Sequence, residues 1–482
     1  MNLCRLNLHR RLLPLVVCCF LGLIPLSARA AQHKLLIITN VNIVDVRTGE
    51  IAKNRAVLIR DGRIDAIGKV ALIGRSKGMQ VVNASGKYLI PGLWDMHVHS
   101  AGGSGPAWDE NLIYPLYVAS GITGIRDMGG DPALLHERKA KIQRGDLVGP
   151  EILYVGPFLQ TRKGDATAVQ ASSPEEGRQA VADLKKQGVD FVKVLSDFPP
   201  ATYFAIADEC RKQGMRLVGH VPDGVNAGEA AAAGQNSIEH LSGIFMASSS
   251  REEELRKQLL DAIANRNGPG YSAANRAAEN SFDPKKAAAL FAVFREKGTW
   301  QVPTLVWWRA QTQFADLKLG EQPELRFVPA SARKDWNPED MLKQISPATL
   351  AGFKTMLPRY LETVNVMRHA QVAILAGTDG PDPFVIPGFS LHEELKLLLE
   401  AGMTPLEVLQ SATLRSAEIL GRADSGSIER KYVADLVLLE KNPLQDIANT
   451  SKIAGVVLRG RYFSRQDLDK MLSQVEALAK TE

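Results

Sequence analysis

The sequence predicts an α/β fold, a (β/α)8 TIM-like barrel with a small β-sandwich domain built from both ends of the mature chain. Three observations predict it. Apolar stretches of strand length at 89–96, 122–127, 152–156, 191–195, 216–220, 237–240, 301–306 and 372–378 are nearly uninterrupted, as strands covered on both faces must be. Helical patterns such as 175–187, 201–213 and 229–234 fall between them. Shorter strands parted by turn residues fill the two ends, at 35–44, 56–60, 64–67 and 80–83, and again at 426–428, 434–439 and 453–458. With 482 residues, 45% of them hydrophobic and 23% charged, the chain can bury a large core.

The chain opens on different material. Arg5, Arg10 and Arg11 precede an apolar run from Leu12 to Leu26, and Ala28 and Ala30 supply the small residues of a cleavage site. Residues 1–30 therefore read as a signal peptide cut after Ala30, and the protein as periplasmic or secreted in a bacterium with no stable membrane anchor left. The apolar run is too short for a span that needs ~20 residues. Three of the four cysteines, Cys4, Cys18 and Cys19, leave with it, so only Cys210 remains and no internal disulfide can form. Four arginines leave too, and 54 basic residues then face 53 acidic ones. Nothing in that balance calls for nucleic acid as a partner.

Residues 31–88 form the N-terminal part of the sandwich, 89–422 the barrel, 423–465 the C-terminal part of the sandwich and 466–482 a final helix. Two insertions interrupt the barrel, at 243–298 and 307–368. Both follow strands, on the face where such barrels place their chemistry, so they are candidate lids. Trp307, Trp308, Phe314 and Trp336 lie in the second, where they could stack on an aromatic substrate group or pack within a helical cap.

The first barrel strand ends in P-G-L-W-D-M-H-V-H-S, with His97 and His99 two residues apart. Side chains at that spacing on a strand share a face, so both imidazoles can reach one ion. An isolated His-x-His is a common chance motif. Here further polar residues stand at other strand ends: Lys193 in strand four, His220 and His240 at the ends of five and six, and Asp379 after eight.

These residues lie in P-G-L-W-D-M-H-V-H, G-I-T-G-I-R-D-M-G-G, F-V-K-V-L, V-G-H-V-P, S-I-E-H-L, L-A-G-T-D and A-D-L-V-L-L. In that order they resemble the amidohydrolase superfamily, in particular the branch of imidazolonepropionase-like proteins and Xaa-Pro or Xaa-Arg dipeptidases. The resemblance implies a divalent metal cofactor, two zinc ions per chain in its binuclear members. His97 and His99 would hold one ion with Asp379, His220 and His240 the second, and Lys193, carbamylated by CO2, would bridge them. An unmodified ammonium would repel the ions, whereas a carbamate is an anionic oxygen ligand. It also implies a metal-bridged hydroxide that attacks an amide or peptide-like C–N bond of a small-molecule substrate, with Asp379 as general base and acid, and it leaves a homo-oligomer open.

Three further residues are candidate substrate contacts. His392 lies in the loop region after strand eight, with a first-turn helix position as the alternative. Arg126 ends strand two beside Asp127, where an internal ion pair is the alternative. Asp223, three residues after His220, raises a rival reading, a mononuclear cyclic amidine or imidazolone hydrolase or deaminase that uses this pair for proton transfer. The remote alternative is a metal-depleted, non-catalytic binding protein, whose signature would be missing ligands. One departure bears on substrate. Dipeptidase relatives follow the strand-five histidine with Ala-Tyr, but here Val221 and Pro222 follow His220, so no hydroxyl stands there to hold a substrate carboxylate.

Overall fold

The structure, a computed structural model, describes residues 35–73, 78–102, 108–162, 168–315 and 317–482. The signal segment 1–30 lies outside them. In chain order the strands are β1 (Leu35–Val44), β2 (Ile51–Arg60), β3 (Arg63–Gly68), β4 (Gln80–Asn83), β5 (Tyr88–Pro91), β6 (Leu93–Val98), β7 (Ile122–Asp127), β8 (Glu151–Tyr154) and β9 (Phe158–Gln160). They continue with β10 (Ala168–Gln170), β11 (Phe191–Val194), β12 (Arg216–Gly219), β13 (Gln235–Glu239), β14 (Trp300–Val302), β15 (Leu436–Leu439), β16 (Ile453–Leu458) and β17 (Arg461–Ser464).

The two ends of the chain meet in one eight-stranded sheet of order β17-β16-β15-β5-β1-β2-β3, with β4 also on β1. The junction is the antiparallel pairing of β5 with β15. Strand β1 pairs with β4 along its first half and with β5 along its second, and its register against β2 shifts on either side of Val41. Bulges of this kind bend a sheet. Leu36, Ile38, Val57 and Ile59 thus share one apolar cluster with Leu436, Leu438 and Val457. The described strands of both chain ends therefore form one hydrogen-bonded sheet packed around a common core.

The parallel strands form a three-stranded sheet, β6-β7-β8, and a six-stranded one, β10-β9-β11-β12-β13-β14. An extended segment, 372–380, lies between them. The Leu375 amide donates to the Gln301 carbonyl of β14, while on the other side the Met96 amide donates to the Ala376 carbonyl and the Asp379 amide to the His97 carbonyl. This close approach needs the glycine of L-A-G-T-D. A Cβ at Gly377 would stand 2.6 Å from Val302 Cγ1 and 3.0 Å from the His97 nitrogen.

Several elements differ from expectation. The apolar run 89–96 is two strands, because its first part pairs with β15 in the composite sheet and its second with β7. The strand placed at 301–306 stops at Val302, since Thr304 takes a left-handed conformation (φ 49°) and a helix, Leu305–Gln313, begins at once. Residues 372–378 are extended but carry isolated bridges instead of a ladder, and no strand covers 426–428.

Both insertions are helical. Helix Glu252–Ala264 begins with three glutamates, which favour the positive end of the helix dipole, and buries Leu255, Leu259 and Ala262 on one face. Helix Pro284–Lys297 is capped by Asp283, whose side chain accepts from the Lys285 amide, and ends at Gly298 in the left-handed region. The second insertion holds Leu305–Gln313 and the long helix Pro347–His369.

Candidate metal centre

Side chains from five separate parts of the chain gather at the C-terminal ends of the parallel strands. His99, Lys193, His220, His240 and Asp379 line one pocket of 770 Å³, and His97 lies buried beside them. Among the described residues the tightest potential ligand group is His97, His240 and Asp379, with one donor atom from each lying within 4.8 Å of the others. Asp379 Oδ1 stands 3.1 Å from both His97 Nε2 and His99 Nε2, and Oδ2 stands 3.7 Å from His240 Nε2. Lys193 Nζ is 3.5 Å from His97 Nε2, and the His220 and His240 ring centroids are 5.2 Å apart.

The other ring nitrogens show why these edges face inward. His97 Nδ1 is 2.8 Å from the Glu239 carboxylate and His99 Nδ1 is 2.9 Å from the Gly129 carbonyl. Both partners only accept, so both nitrogens carry the hydrogen. The Thr304 hydroxyl donates to the Pro303 carbonyl and is left to accept from His240 Nδ1 at 2.7 Å. Three imidazoles therefore turn an Nε2 lone pair towards one carboxylate. Lone pairs and an anion so close repel one another unless a cation joins them, and mixed imidazole and carboxylate donors suit a divalent ion. The residues fit the metal that the sequence implied.

The electrostatics agree. Burial pushes His240 down to about 3 and His220 well below the usual imidazole range, which keeps both neutral and able to ligate. Burial works to raise the Asp379 carboxyl, but its electrostatic interaction with the surrounding imidazoles, His97 first, outweighs it and holds the group well below its ordinary value. Burial also lowers Lys193, against the pull of Asp379 and Glu239. Backbone strain collects here as well. His240 (φ 59°), Thr304 (φ 49°) and Asp379 (φ 63°) are all left-handed non-glycine residues, a conformation costing on the order of 1 kcal/mol or more each that tends to cluster at functional sites.

Two of the three candidate substrate contacts fall elsewhere, and both are corrections. Arg126 is fully buried beneath the site, where it bonds the Met96 carbonyl, Ser237 Oγ and both Glu239 oxygens, so it holds the scaffold and reaches no substrate. Its ion pair is with Glu239, not with Asp127, whose carboxylate accepts from Ser100 and Gly129. His392 sits in the first turn of helix Phe389–Glu400 and is 4% exposed. Its Nδ1 is 3.0 Å from Thr450 Oγ1 and its Nε2 is 3.0 Å from the Ser120 carbonyl, so both nitrogens are spent on packing. Asp223 lines a neighbouring chamber and not the pocket of Lys193 and Asp379.

Sequence reasoning missed the carboxylates that support the ligands. Glu239, in S-I-E-H-L, orients His97. Asp95, in W-D-M-H-V-H, accepts from the Thr378 amide and hydroxyl and from the His97 amide, tying β6 to segment 372–380. A charged residue inside an otherwise apolar strand was the available signal.

A family model described as the amidohydrolase family matches residues 88–462. This chain belongs to the amidohydrolase family. The amidohydrolase is 24% identical to ochratoxinase of Aspergillus niger over 503 aligned positions, covering 92% of this chain and 86% of that one. By structure it is similar to bottromycin amidohydrolase, with a TM-score of 0.71 at 23% identity over 92% of this chain and 90% of the other. It is also similar to a Xaa-Pro dipeptidase with bound methionine, with a TM-score of 0.64 at 19% identity over 89% and 100%. These likenesses imply a TIM-like barrel. The amidohydrolase is a hydrolase of carbon–nitrogen bonds, from a family that generally binds divalent metals.

Proposed function

We propose that this amidohydrolase is an exported, metal-dependent enzyme that hydrolyses the amide bond of an N-acyl amino acid, a small peptide or a cyclic amide. The parallel strands and segment 372–380 make one closed (β/α)8 barrel, and His97, His99, His220, His240 and Asp379 would hold two ions, zinc in the first instance, with a carbamate on Lys193 as a further anionic ligand. The observation that carries the reading is the convergence of three Nε2 lone pairs on Asp379, each imidazole held in that tautomer by its Nδ1 partner. Lys193 supports the bridge. Only a neutral amine can add CO2, and burial lowers this one towards neutrality.

Bound divalent ions would supply Lewis acidity, activating water at neutral pH and polarising the amide carbonyl. The residues of the chain supply the rest. Asp379, held ionised, accepts the proton of the attacking water and passes it to the leaving nitrogen. His220 and His240, lowered by burial, stay neutral and would serve as ligands beside His97 and His99. Trp307 and Gln311 donate to Asp382 Oδ2 at 2.5 and 2.8 Å, which fixes the pocket wall beside Asp379.

A single-ion centre is the second reading, because His97, His240 and Asp379 alone form the tightest group. Proton transfer by Asp223 gains no support from its place outside that pocket. Metal analysis of the purified protein, with a screen of N-acyl amino acids, dipeptides, cyclic ureas and lactones, tests both. Two ions per chain and amide turnover that Asp379→Ala abolishes are expected. One tightly held ion indifferent to bicarbonate would leave only the second reading, and metal-independent turnover would refute both.

A further inference from the structure

A second chamber, of 420 Å³, adjoins the metal pocket. The two share His220, His240 and Trp307 as common walls. From the metal site an unbroken series of rings runs into this chamber. Trp307 lies 5.7 Å from His240, Trp308 lies 4.7 Å from Trp307 edge-on, Tyr360 lies 4.6 Å from Trp308 edge-on, and Phe245 stacks on Tyr360 at 5.0 Å. These separations are the edge-to-face and offset-stacked distances at which aromatic rings attract one another. Trp307 and Trp308 come from the helix after β14, Tyr360 and Met356 from the long helix of the second insertion, and Phe245 from the first insertion. Neither insertion builds the chamber alone.

Phe245 and Tyr360 are buried in the chamber wall while Trp307 and Trp308 are part-exposed, and the volume falls within the ~300–1,000 Å³ of small-molecule pockets, which are lined mainly by apolar and aromatic side chains. Resting on the hydrolase reading above, we infer that this chamber binds one flank of the scissile amide, and that the flank is a bulky aromatic group of two-ring size. The two insertions are thereby the specificity elements of the enzyme, since they set the chamber walls while the strand ends set the chemistry. A small aliphatic flank would leave most of the chamber unfilled and gain little from its aromatic walls.

Hydroxamates of differing tails separate this inference from the one beneath it, because the hydroxamate head grips the metal whatever its tail. The zinc-loaded protein is titrated by calorimetry with acetohydroxamate, octanohydroxamate and 2-naphthohydroxamate. The naphthyl compound should bind at least ~30-fold more tightly than acetohydroxamate, in line with burial of an aromatic ring. Met356 lines the chamber and is half-buried, so Met356→Trp fills the space without emptying a core. It should bring the naphthyl compound to within about threefold of acetohydroxamate, leave acetohydroxamate unchanged, and be matched by no such loss in Met356→Leu. A naphthyl advantage that survives Met356→Trp would overturn the chamber as its site. Octanohydroxamate binding as tightly as the naphthyl compound would overturn the aromatic class. Failure of acetohydroxamate itself to bind would refute the metal centre and the inference with it.

Discussion

Replacing Glu239 by Gln should separate two roles that one carboxylate performs. Glu239 is wholly buried and accepts from His97 Nδ1 at 2.8 Å, from Arg126 Nη2 at 3.0 Å to each oxygen and from Ser237 Oγ at 2.5 Å. Burial acts to protonate it, but Arg126 and His97 prevail and hold it well below the carboxylate range, so it is charged at any working pH. Glu239→Gln keeps the shape and removes the charge. The amide now offers one acceptor oxygen where two were used, and a donor faces either the guanidinium or the imidazole. Loss of such an orienting partner lowers metal affinity about 10–100-fold, or ~1.4–2.7 kcal/mol. Separately, Arg126 becomes a buried charge without a counter-ion, which destabilises by roughly 3–5 kcal/mol. Zinc affinity measured by competition with a chromogenic chelator, and stability by urea denaturation of the metal-free protein, read the two effects apart. The double variant Arg126→Met with Glu239→Gln should recover most of the stability and none of the metal affinity. A Glu239→Gln protein that binds zinc within twofold of the parent would refute the orienting role, and a double variant as unstable as the single one would refute the charge argument.

Lys193→Ala should lose bound metal and turnover, with partial rescue by acetate or propionate occupying the vacated space beside His97; a fully active variant by metal analysis and assay would exclude the bridge. Glu394 is buried, accepts the Val306 amide at 2.7 Å and is pushed up to about 8 by burial. Because its folded value exceeds the ordinary one of 4.5, the folded protein retains the proton longer, so its contribution to stability is full below about pH 4.5 and is lost as pH rises through 8. Glu394→Gln should flatten that limb, by at most roughly 4–5 kcal/mol at pH 9, and parallel denaturation curves for both proteins between pH 5 and 9 would refute the assignment. A chain lacking residues 1–30 should be soluble and active when made in the cytoplasm, and the full chain should reach the periplasm of a bacterial host shortened at Ala30; a membrane-retained full-length product by fractionation and mass spectrometry would refute cleavage.

Where neighbours in sequence are neighbours in space, the chain alone was enough. The His97 and His99 pair is legible because a strand puts alternate residues on one face, and β1, β4, β7 and β16 are legible because their apolar runs have strand length and β-branched content. Lys193, His220, His240 and Asp379 could be picked out as polar residues closing apolar strands, though their meeting was an inference from resemblance. Tertiary structure decided what depends on contacts across long separations. Glu239 reads in sequence as one more charge, and becomes the partner of His97 only because β13 lies across from β6, 142 residues away. His392 reads as a loop histidine near the site until Thr450 and Ser120 are seen to occupy both its nitrogens. The apolar run at 89–96 divides between two sheets for the same reason, since hydrogen-bond partners and not hydrophobicity determine which sheet a strand joins. Local pattern reports which residues are buried or strand-like. Which partner satisfies a buried donor, and which wall a tryptophan faces, is settled only when distant segments have packed.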